Sequence, residues 1–320
     1  MGEAVGIGVD IGATRVRACV GDSRGKLLWR GSRVIPHYPE VDDYVSTVVR
    51  FVRGAVKLAE GAHRPAGIGV ASVGPLDLRR GRLVSPPNLG YDSVPIVEPM
   101  ERAFGLKVAL INDASAGALG ERRFGLGKRH GNLVYITMST GIGGGAIVDG
   151  NLLWGKDGNA AEVGHMVVDP LGRLECGCGG KGHWEAYCSG RGIPRLAELI
   201  ASEEPFAGGG GAGALLGIGR KAKDPRAILE AAYKGGRYSD RLVDEIGRLN
   251  SYGVANAANM YDPSLISIGG AVALNHKELI VDRIRRKAPE HMIGRKPEIT
   301  VTALGDDVGL LGALSLAFGS

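Results

Sequence analysis

Two stretches decide the fold: VGIGVDIGATRVRACVGDSRGKLLWRGSRV at residues 5–34 and NLVYITMSTGIGGGAIVDGNLLW at residues 132–154. In the first, three strand-like runs (5–11, 15–20 and 26–34) are separated by Gly12-Ala13-Thr14 and Gly21-Asp22-Ser23-Arg24-Gly25. These are residue types that reverse a chain at little cost, so three antiparallel strands are expected. The second stretch repeats the layout, with a strand over 132–138, a glycine turn over 140–145 and a strand over 145–148. The turn Asp149-Gly150 and a third strand starting at Leu152-Leu153-Trp154 follow, where the first copy has Leu27-Leu28-Trp29. A layout that recurs after about 125 residues predicts a duplicated α/β domain. Tandem domains of one kind commonly leave a cleft that takes ligands.

Outward from these modules the pattern stays α/β. Val45, Val48, Val49, Val52 and Val56 carry helical spacing over 41–60. Residues 67–73 and 108–111 are short apolar runs of the kind that form buried parallel strands. A small-residue helix follows over 114–124, then helices over 193–203, 226–234 and 240–260, with a flexible glycine loop at 208–213. Strands at 265–268 and 299–304 alternate with helices at 278–287 and 308–318.

Composition bounds the class. At 320 residues the chain suits two domains better than one, and 44% hydrophobic residues can fill packed cores. No apolar run approaches the roughly 20 residues of a membrane span, and the N-terminus reads as strand rather than as a signal peptide, so a cytoplasmic protein is expected. The net charge of +5 is spread out. Arg15, Arg17, Arg79, Arg80, Arg82, Arg122 and Arg123 read either as scattered solvated charge or as a field that attracts anions, and no nucleic-acid stripe is present. Four cysteines without a secretion signal argue against a disulfide framework. The absence of glutamine and the many Arg and Glu residues fit a thermophile.

Four segments carry chemistry. Asp10-Ile11-Gly12-Ala13-Thr14 reads either as an ordinary tight turn or as a phosphate turn, with a hydroxyl at Thr14 and a carboxylate at Asp10 able to hold a hydrated cation. Thr137, Ser139, Thr140, Gly141, Gly143, Gly144 and Gly145 form its counterpart in the second module, a possible anion cradle of backbone N–H groups that is not a Walker A loop. Asp113, after Asn112 and an apolar strand, reads either as a helix N-cap or as a general base for a hydroxyl attacking a γ-phosphate. His165, Cys176, Cys178 and His183 fall in one short glycine-rich segment, a ligand set that suits structural Zn²⁺ better than free thiols and surface histidines.

With these residues assembled, the chain resembles the ROK family of sugar kinases and related repressors, over nearly its whole length. Residues 9–14 are similar to the family's first phosphate motif and residues 139–145 to its second. Residues 162–185 resemble its signature, a glutamate and a histidine before a cysteine loop, and residues 259–271 resemble its adenosine-contacting motif. The resemblance implies two actin/hexokinase-like, ribonuclease H-like domains around a cleft. The smaller would span 1–113, completed by a C-terminal helix at 306–320, and the larger 114–305, with the zinc loop and nucleotide site. It implies Asp113 as catalytic base and Asn88, Asn112, Glu162, His165 and Glu185 on the sugar hydroxyls. Asp10, Gly12, Thr14, Arg15, Thr140, Gly141, Gly143, Gly269 and Gly270 would bind phosphate or nucleotide. ATP with Mg²⁺, structural Zn²⁺ on His165, Cys176, Cys178 and His183, and a homo-oligomer are implied too. The chain departs from the family at His183, where the family has a third cysteine, and this bears on zinc affinity.

The expected reaction is transfer of the ATP γ-phosphate to the 6-hydroxyl of glucose or a related hexose. N-acetylhexosamine, mannose and fructose are alternative acceptors, and polyphosphate an alternative donor. The family's repressors place a helix-turn-helix domain before the first phosphate motif, which here begins by Val5. A sugar-responsive regulator is therefore the lesser expectation.

Overall fold

A computed structural model of the chain describes residues 4–12, 14–62, 65–203 and 211–319. Ala13 of the first phosphate motif and residues 208–210 of the glycine loop lie outside them. The chain forms two compact units. Unit 1 holds residues 1–135, 145–161 and 302–320, and unit 2 holds 136–144 and 162–301.

Unit 1 opens with β1 (Val5–Ile11), β2 (Arg15–Asp22), β3 (Leu27–Val34) and α1 (Val41–Ala62), followed by β4 (Pro65–Ser72). After β5 (Leu76–Asp77), β6 (Arg82–Val84), β7 (Ser93–Pro95) and α2 (Val97–Phe104) come β8 (Val108–Asn112) and α3 (Asp113–Phe124). The main sheet runs β3-β2-β1-β4-β8, antiparallel through the hairpins and parallel across β1-β4-β8. Strands β5 to β7 form a separate small sheet.

The alternation in β1 shows how the sheet is covered. Val5, Ile7, Val9 and Ile11 share a core with Val45, Val48, Val52 and Val56 of α1. Of the three intervening positions, Gly6 and Gly8 are glycines and the last is Asp10; at Gly8 a helix backbone, that of Val308–Leu316, passes against that face. A Cβ at Gly8 would lie 2.8 Å from the Leu310 carbonyl oxygen, and one at Gly69 of β4 only 1.9 Å from that of Ala313. The same helix meets α3 just as closely, since a Cβ at Gly312 would lie 1.7 Å from the Ala116 oxygen. Such contacts tolerate no side chain.

The second sheet has the order β11-β10-β9-β12-β13, from β9 (Leu133–Met138), β10 (Ile142–Val148), β11 (Asn151–Leu152), β12 (Leu265–Gly269) and β13 (Glu298–Val301). It repeats the first sheet's order, hairpin strands first, as the duplicated layout predicts. Its third strand has only two residues, so it is shorter than its counterpart β3. Unit 2 holds α4 (Glu185–Cys188), α5 (Gly192–Glu203), α6 (Ala212–Leu215), α7 (Pro225–Ala232), α8 (Arg237–Tyr261), α9 (Ala271–Asn275) and α10 (Lys277–Lys287). The helix at the chain's end is α11 (Val308–Leu316). Residues 212–213, expected to be loop, instead start α6, with Gly211 as its N-cap. Among the described residues no helix is long and apolar enough to cross a membrane.

Candidate functional site

In unit 1 the chain leaves β1 through a turn closed by Gly12 N–H on the Arg15 carbonyl at 2.9 Å. The Asp10 carboxylate just before it is held by Arg17, its register partner on β2. Arg17 Nε donates to Asp10 Oδ2 at 2.9 Å, a second nitrogen of the same guanidinium also donates to it, and Nη1 donates to the Asp306 carbonyl at 2.7 Å. Arg15 is exposed and reaches Ser32 Oγ at 3.1 Å, and the Thr14 carbonyl accepts from Ile35 N–H at 3.0 Å. Arg17 is thus a partner that motif reading passed over. The signal was available, because antiparallel pairing across this hairpin sets residue 17 opposite residue 10.

Asp113 is the first residue of α3. The buried Asn112 is the N-cap, its Oδ1 accepting from Ala114 N–H at 2.9 Å and Ser115 N–H at 3.3 Å. The cap reading of Asp113 therefore gives way to Asn112. Asp113 is half-buried, and its Oδ1 accepts from Ala114 N–H at 2.8 Å. The Asn112 Oδ1 is committed to the cap, which makes Nδ2 the atom a ligand would use. Asn88 is exposed, in a turn closed by Leu89 N–H on the Pro86 carbonyl at 3.0 Å. Asn159, which carries no motif, pins its loop to β5 by accepting from Leu76 N–H and donating to the Leu76 carbonyl, both at 2.9 Å.

In unit 2 the turn between β9 and β10 is fixed by its neighbours. Gly190 N–H donates to the Ser139 carbonyl at 2.7 Å and Arg191 N–H to that of Thr140 at 3.2 Å. Ile142 N–H donates to Glu185 Oε2 at 2.9 Å, and a Cβ on Gly141 would lie 2.3 Å from the same oxygen. Beside this turn is a cavity of about 690 Å³, lined by Ser139, Thr140, Gly190 and Arg191 and, from the other elements, by Ala271, Val272 and His276. That volume suits a drug- or nucleotide-sized ligand. Gly269 and Gly270 lead into it, and Gly270, at φ +86°, would place a Cβ 2.4 Å from the Met138 oxygen. Arg191, Arg195, Lys223 and Arg226 give the wall positive charge against Glu198. These residues were not foreseen, because they come singly from α5, α7 and the segments before them.

The residues of the cysteine segment converge in unit 2. The ligand atoms of His165, Cys176, Cys178 and His183 all lie within 4.8 Å of one another. His165 Nδ1 stands 3.4 Å from His183 Nδ1 and 3.8 Å from Cys176 Sγ, and Cys178 Sγ stands 3.3 Å from His183 Nδ1. Metal–ligand bonds of about 2.0–2.3 Å at tetrahedral angles require ligand separations of roughly 3.3–3.8 Å; these three pairs have that spacing, while the set as a whole spreads to 4.8 Å and would draw in slightly round a four-coordinate soft cation. Both histidines present Nδ1, the nitrogen nearer the backbone, whose reach resembles that of a cysteine sulfur. Burial, with help from His165, holds the His183 imidazole below its ordinary value, against the pull of Glu185. Burial pushes the Cys176 thiol up to about 11, so a cation would have to displace its proton.

Around this cluster, His165 Nε2 lies 3.8 Å from Glu162 Oε2, and Cys176 Sγ lies 3.7 Å from Glu185 Oε1. Burial raises the Glu162 carboxyl above its usual range, with Glu185 adding to it and His165 opposing. The loop is buttressed from below. The buried Asp169 carboxylate accepts from Tyr187 OH at 2.6 Å and Arg173 Nε at 2.9 Å, while Arg173 also reaches Glu203 at 3.2 Å and Glu245 at 3.0 Å. Trp184, fully buried, donates to Asn250 Oδ1 at 2.8 Å.

Comparison with known proteins follows the same lines. The profile of the ROK family matches residues 6–319. A glucokinase from Aeropyrum pernix is 36% identical over 98% of this chain and 96% of its own length, and one from Streptomyces coelicolor is 35% identical over 97% and 96%. The crystal structure of a ROK family glucokinase from Streptomyces griseus, in complex with glucose and AMPPNP, superposes with a TM-score of 0.78 at 34% identity, covering 99% of this chain and 100% of that one. With the profile running through nearly all of its length and relatives above 30% identity covering almost the whole of it, the chain belongs to the ROK family.

Proposed function

We propose that the protein is an ATP-dependent hexose kinase that transfers the γ-phosphoryl group to the 6-hydroxyl of glucose or a related hexose. Its full-length likeness to glucokinases supports the reaction class. The observation that carries the site assignment is Glu185. One carboxylate oxygen accepts the Ile142 N–H of the hydroxyl-and-glycine turn, and the other faces Cys176 of the ligand cluster. A single side chain thereby ties a turn beside a nucleotide-sized cavity to a polar cluster suited to sugar hydroxyls.

In this reading Asn88, Asn112, Glu162, His165 and Glu185 hold the sugar. Asp113 takes the proton of the hydroxyl as it attacks the γ-phosphorus. Phosphoryl transfer asks little else of a protein than positioning and charge neutralisation. The turn at Asp10, Gly12, Thr14 and Arg15 and the turn at Thr140, Gly141 and Gly143 serve the phosphates, and Gly269 and Gly270 serve the nucleoside. Zinc on His165, Cys176, Cys178 and His183 would fix the loop and the His165 ring, leaving Nε2 for the sugar. Mg²⁺ accompanies ATP and supplies neutralising charge.

The test is ADP release with MgATP against glucose, mannose, fructose, N-acetylglucosamine and N-acetylmannosamine at matched concentrations, at 25 °C and at high temperature. Glucose is expected among the acceptors that turn over. A folded protein that phosphorylates none of them at either temperature would overturn the reading.

A further inference from the structure

His276 is 5% exposed and yet forms part of the wall of the unit 2 cavity. Its Nδ1 is buried without a hydrogen-bond partner among the described residues. Buried polar atoms are almost always paired, so an orphan of this kind calls for an explanation. The fold does not supply one. His276 occupies the N-cap position of α10 but makes no side-chain cap bond there. The Tyr233 ring lies tilted beside it, centroid to centroid 6.1 Å.

The surroundings point to what would pair with it. Near the β9–β10 turn the wall offers hydroxyls and Arg191, which suits phosphate. Helices α7 and α9 offer Leu229 and Val272, flat apolar walls of the kind that receive an aromatic base. Burial holds the His276 imidazole below its ordinary value, against Glu230 and with help from Arg226, which favours the neutral ring. The acceptor nitrogen of a neutral imidazole can take a hydrogen bond from the 6-amino group of adenine, where guanine carries a carbonyl acceptor instead.

We propose that His276 is a specificity-determining residue of the donor site, hydrogen-bonding the edge of the purine and so favouring adenine over guanine nucleotides. The inference rests on the kinase reading for its substrate, but not for the contact itself.

The experiment compares wild type with His276→Leu and His276→Asn. It measures ADP affinity by calorimetry, and kcat/KM for ATP, GTP and ITP at saturating hexose. His276→Leu should weaken ADP binding about tenfold, the worth of one hydrogen bond between donor and cavity. It should also bring the ATP to GTP ratio close to one while the hexose KM stays put. His276→Asn keeps a donor and an acceptor and should retain part of the preference. Because either variant could disturb α10, the wild-type protein gives an independent readout. The His276 ring resonance in ¹H–¹³C spectra should move on adding ADP and not on adding pyrophosphate. An unmoved resonance, or unchanged ADP affinity and nucleotide ratio in the Leu variant, overturns the proposal. If no hexose is phosphorylated by wild type but ADP still moves the resonance, the kinase reading falls and the contact stands.

Discussion

In unit 1 the sheet is held by close backbone approach, whereas around the ligand cluster of unit 2 polar side chains do the holding. Gly8, Gly69 and Gly312 let α11 lie directly on β1, β4 and α3. Below the cysteine loop, Asp169, Tyr187, Arg173 and Glu245 form a chain of hydrogen bonds and ion pairs. The first device is apolar and fails when atoms are added. The second is electrostatic and fails when a partner is taken away. Two aspartates mark the contrast: Asp113 is at a helix start whose cap is supplied by Asn112, while Asp169 is buried and accepts from Tyr187 and Arg173.

Exchanging each aspartate for asparagine tests the contrast most severely. Asp113→Asn should lower kcat by about 10²–10⁴-fold, the usual worth of a positioned general base, and leave the melting temperature close to wild type. A coupled assay beside a thermal melt checks both halves. Normal turnover would remove the base assignment, and a collapsed melt would make Asp113 a structural residue. Asp169→Asn should do the reverse, costing about 1.5–3 kcal/mol of stability because Tyr187 and Arg173 lose a charged acceptor, while Glu203 and Glu245 still pair Arg173. Its pH dependence has a definite sign. Burial alone would raise the Asp169 carboxyl, but the bonds from Tyr187 and Arg173 hold it below its ordinary value. The stability it contributes is present above the usual carboxylate range and is lost as pH falls through that lowered value. Denaturant midpoints at pH 7 and near pH 3 should therefore converge between wild type and variant.

The apolar side of the comparison is tested by adding one methyl group. Gly69→Ala would place a Cβ 1.9 Å from the Ala313 oxygen and should cost about 1–3 kcal/mol as α11 is pushed off the sheet. Gly54→Ala is the control. It lies on α1 with nothing within 4 Å of its Cβ position, and should stabilise by about 1 kcal/mol through helix propensity. Urea unfolding of both variants separates the cases, and equal signs would refute the close-approach account.

What could be read from sequence divides along the same line. The hairpins and their repeat were legible because turn residues and strand alternation are local signals. The glycines of β1 and β4 were visible as turn-like or apolar pattern, yet their reason, a helix more than 230 residues further along, was not local and could not be read. The small sheet β5–β7 has strands of two or three residues, too short for any periodicity to show. In the site, His165, Cys176, Cys178 and His183 could be considered together because one short segment holds them. Arg191, Arg226 and His276 reach the cavity wall from separate elements with no motif among them. Arg17 sits between these cases, since its pairing with Asp10 follows from hairpin register alone.

The finest test concerns His183, where local chemistry and remote support meet. If the cluster holds zinc and the zinc shapes the sugar site, His183→Ala should lower metal content. It should also raise the hexose KM roughly tenfold, about 1.4 kcal/mol, with the ATP KM nearly unchanged. Chelation of the wild-type protein should reproduce that split. His183→Cys is the more discriminating variant. A sulfur at this position has nearly the reach of Nδ1, so the ligand geometry should persist while the thiolate binds zinc more tightly. Metal content should then survive a chelator that strips the wild type, with hexose KM within about twofold, since the loop is already supported by Asp169 and Arg173. A Cys variant that keeps its zinc but loses hexose affinity would mean that the His183 ring itself, rather than the ion, positions the sugar ligands.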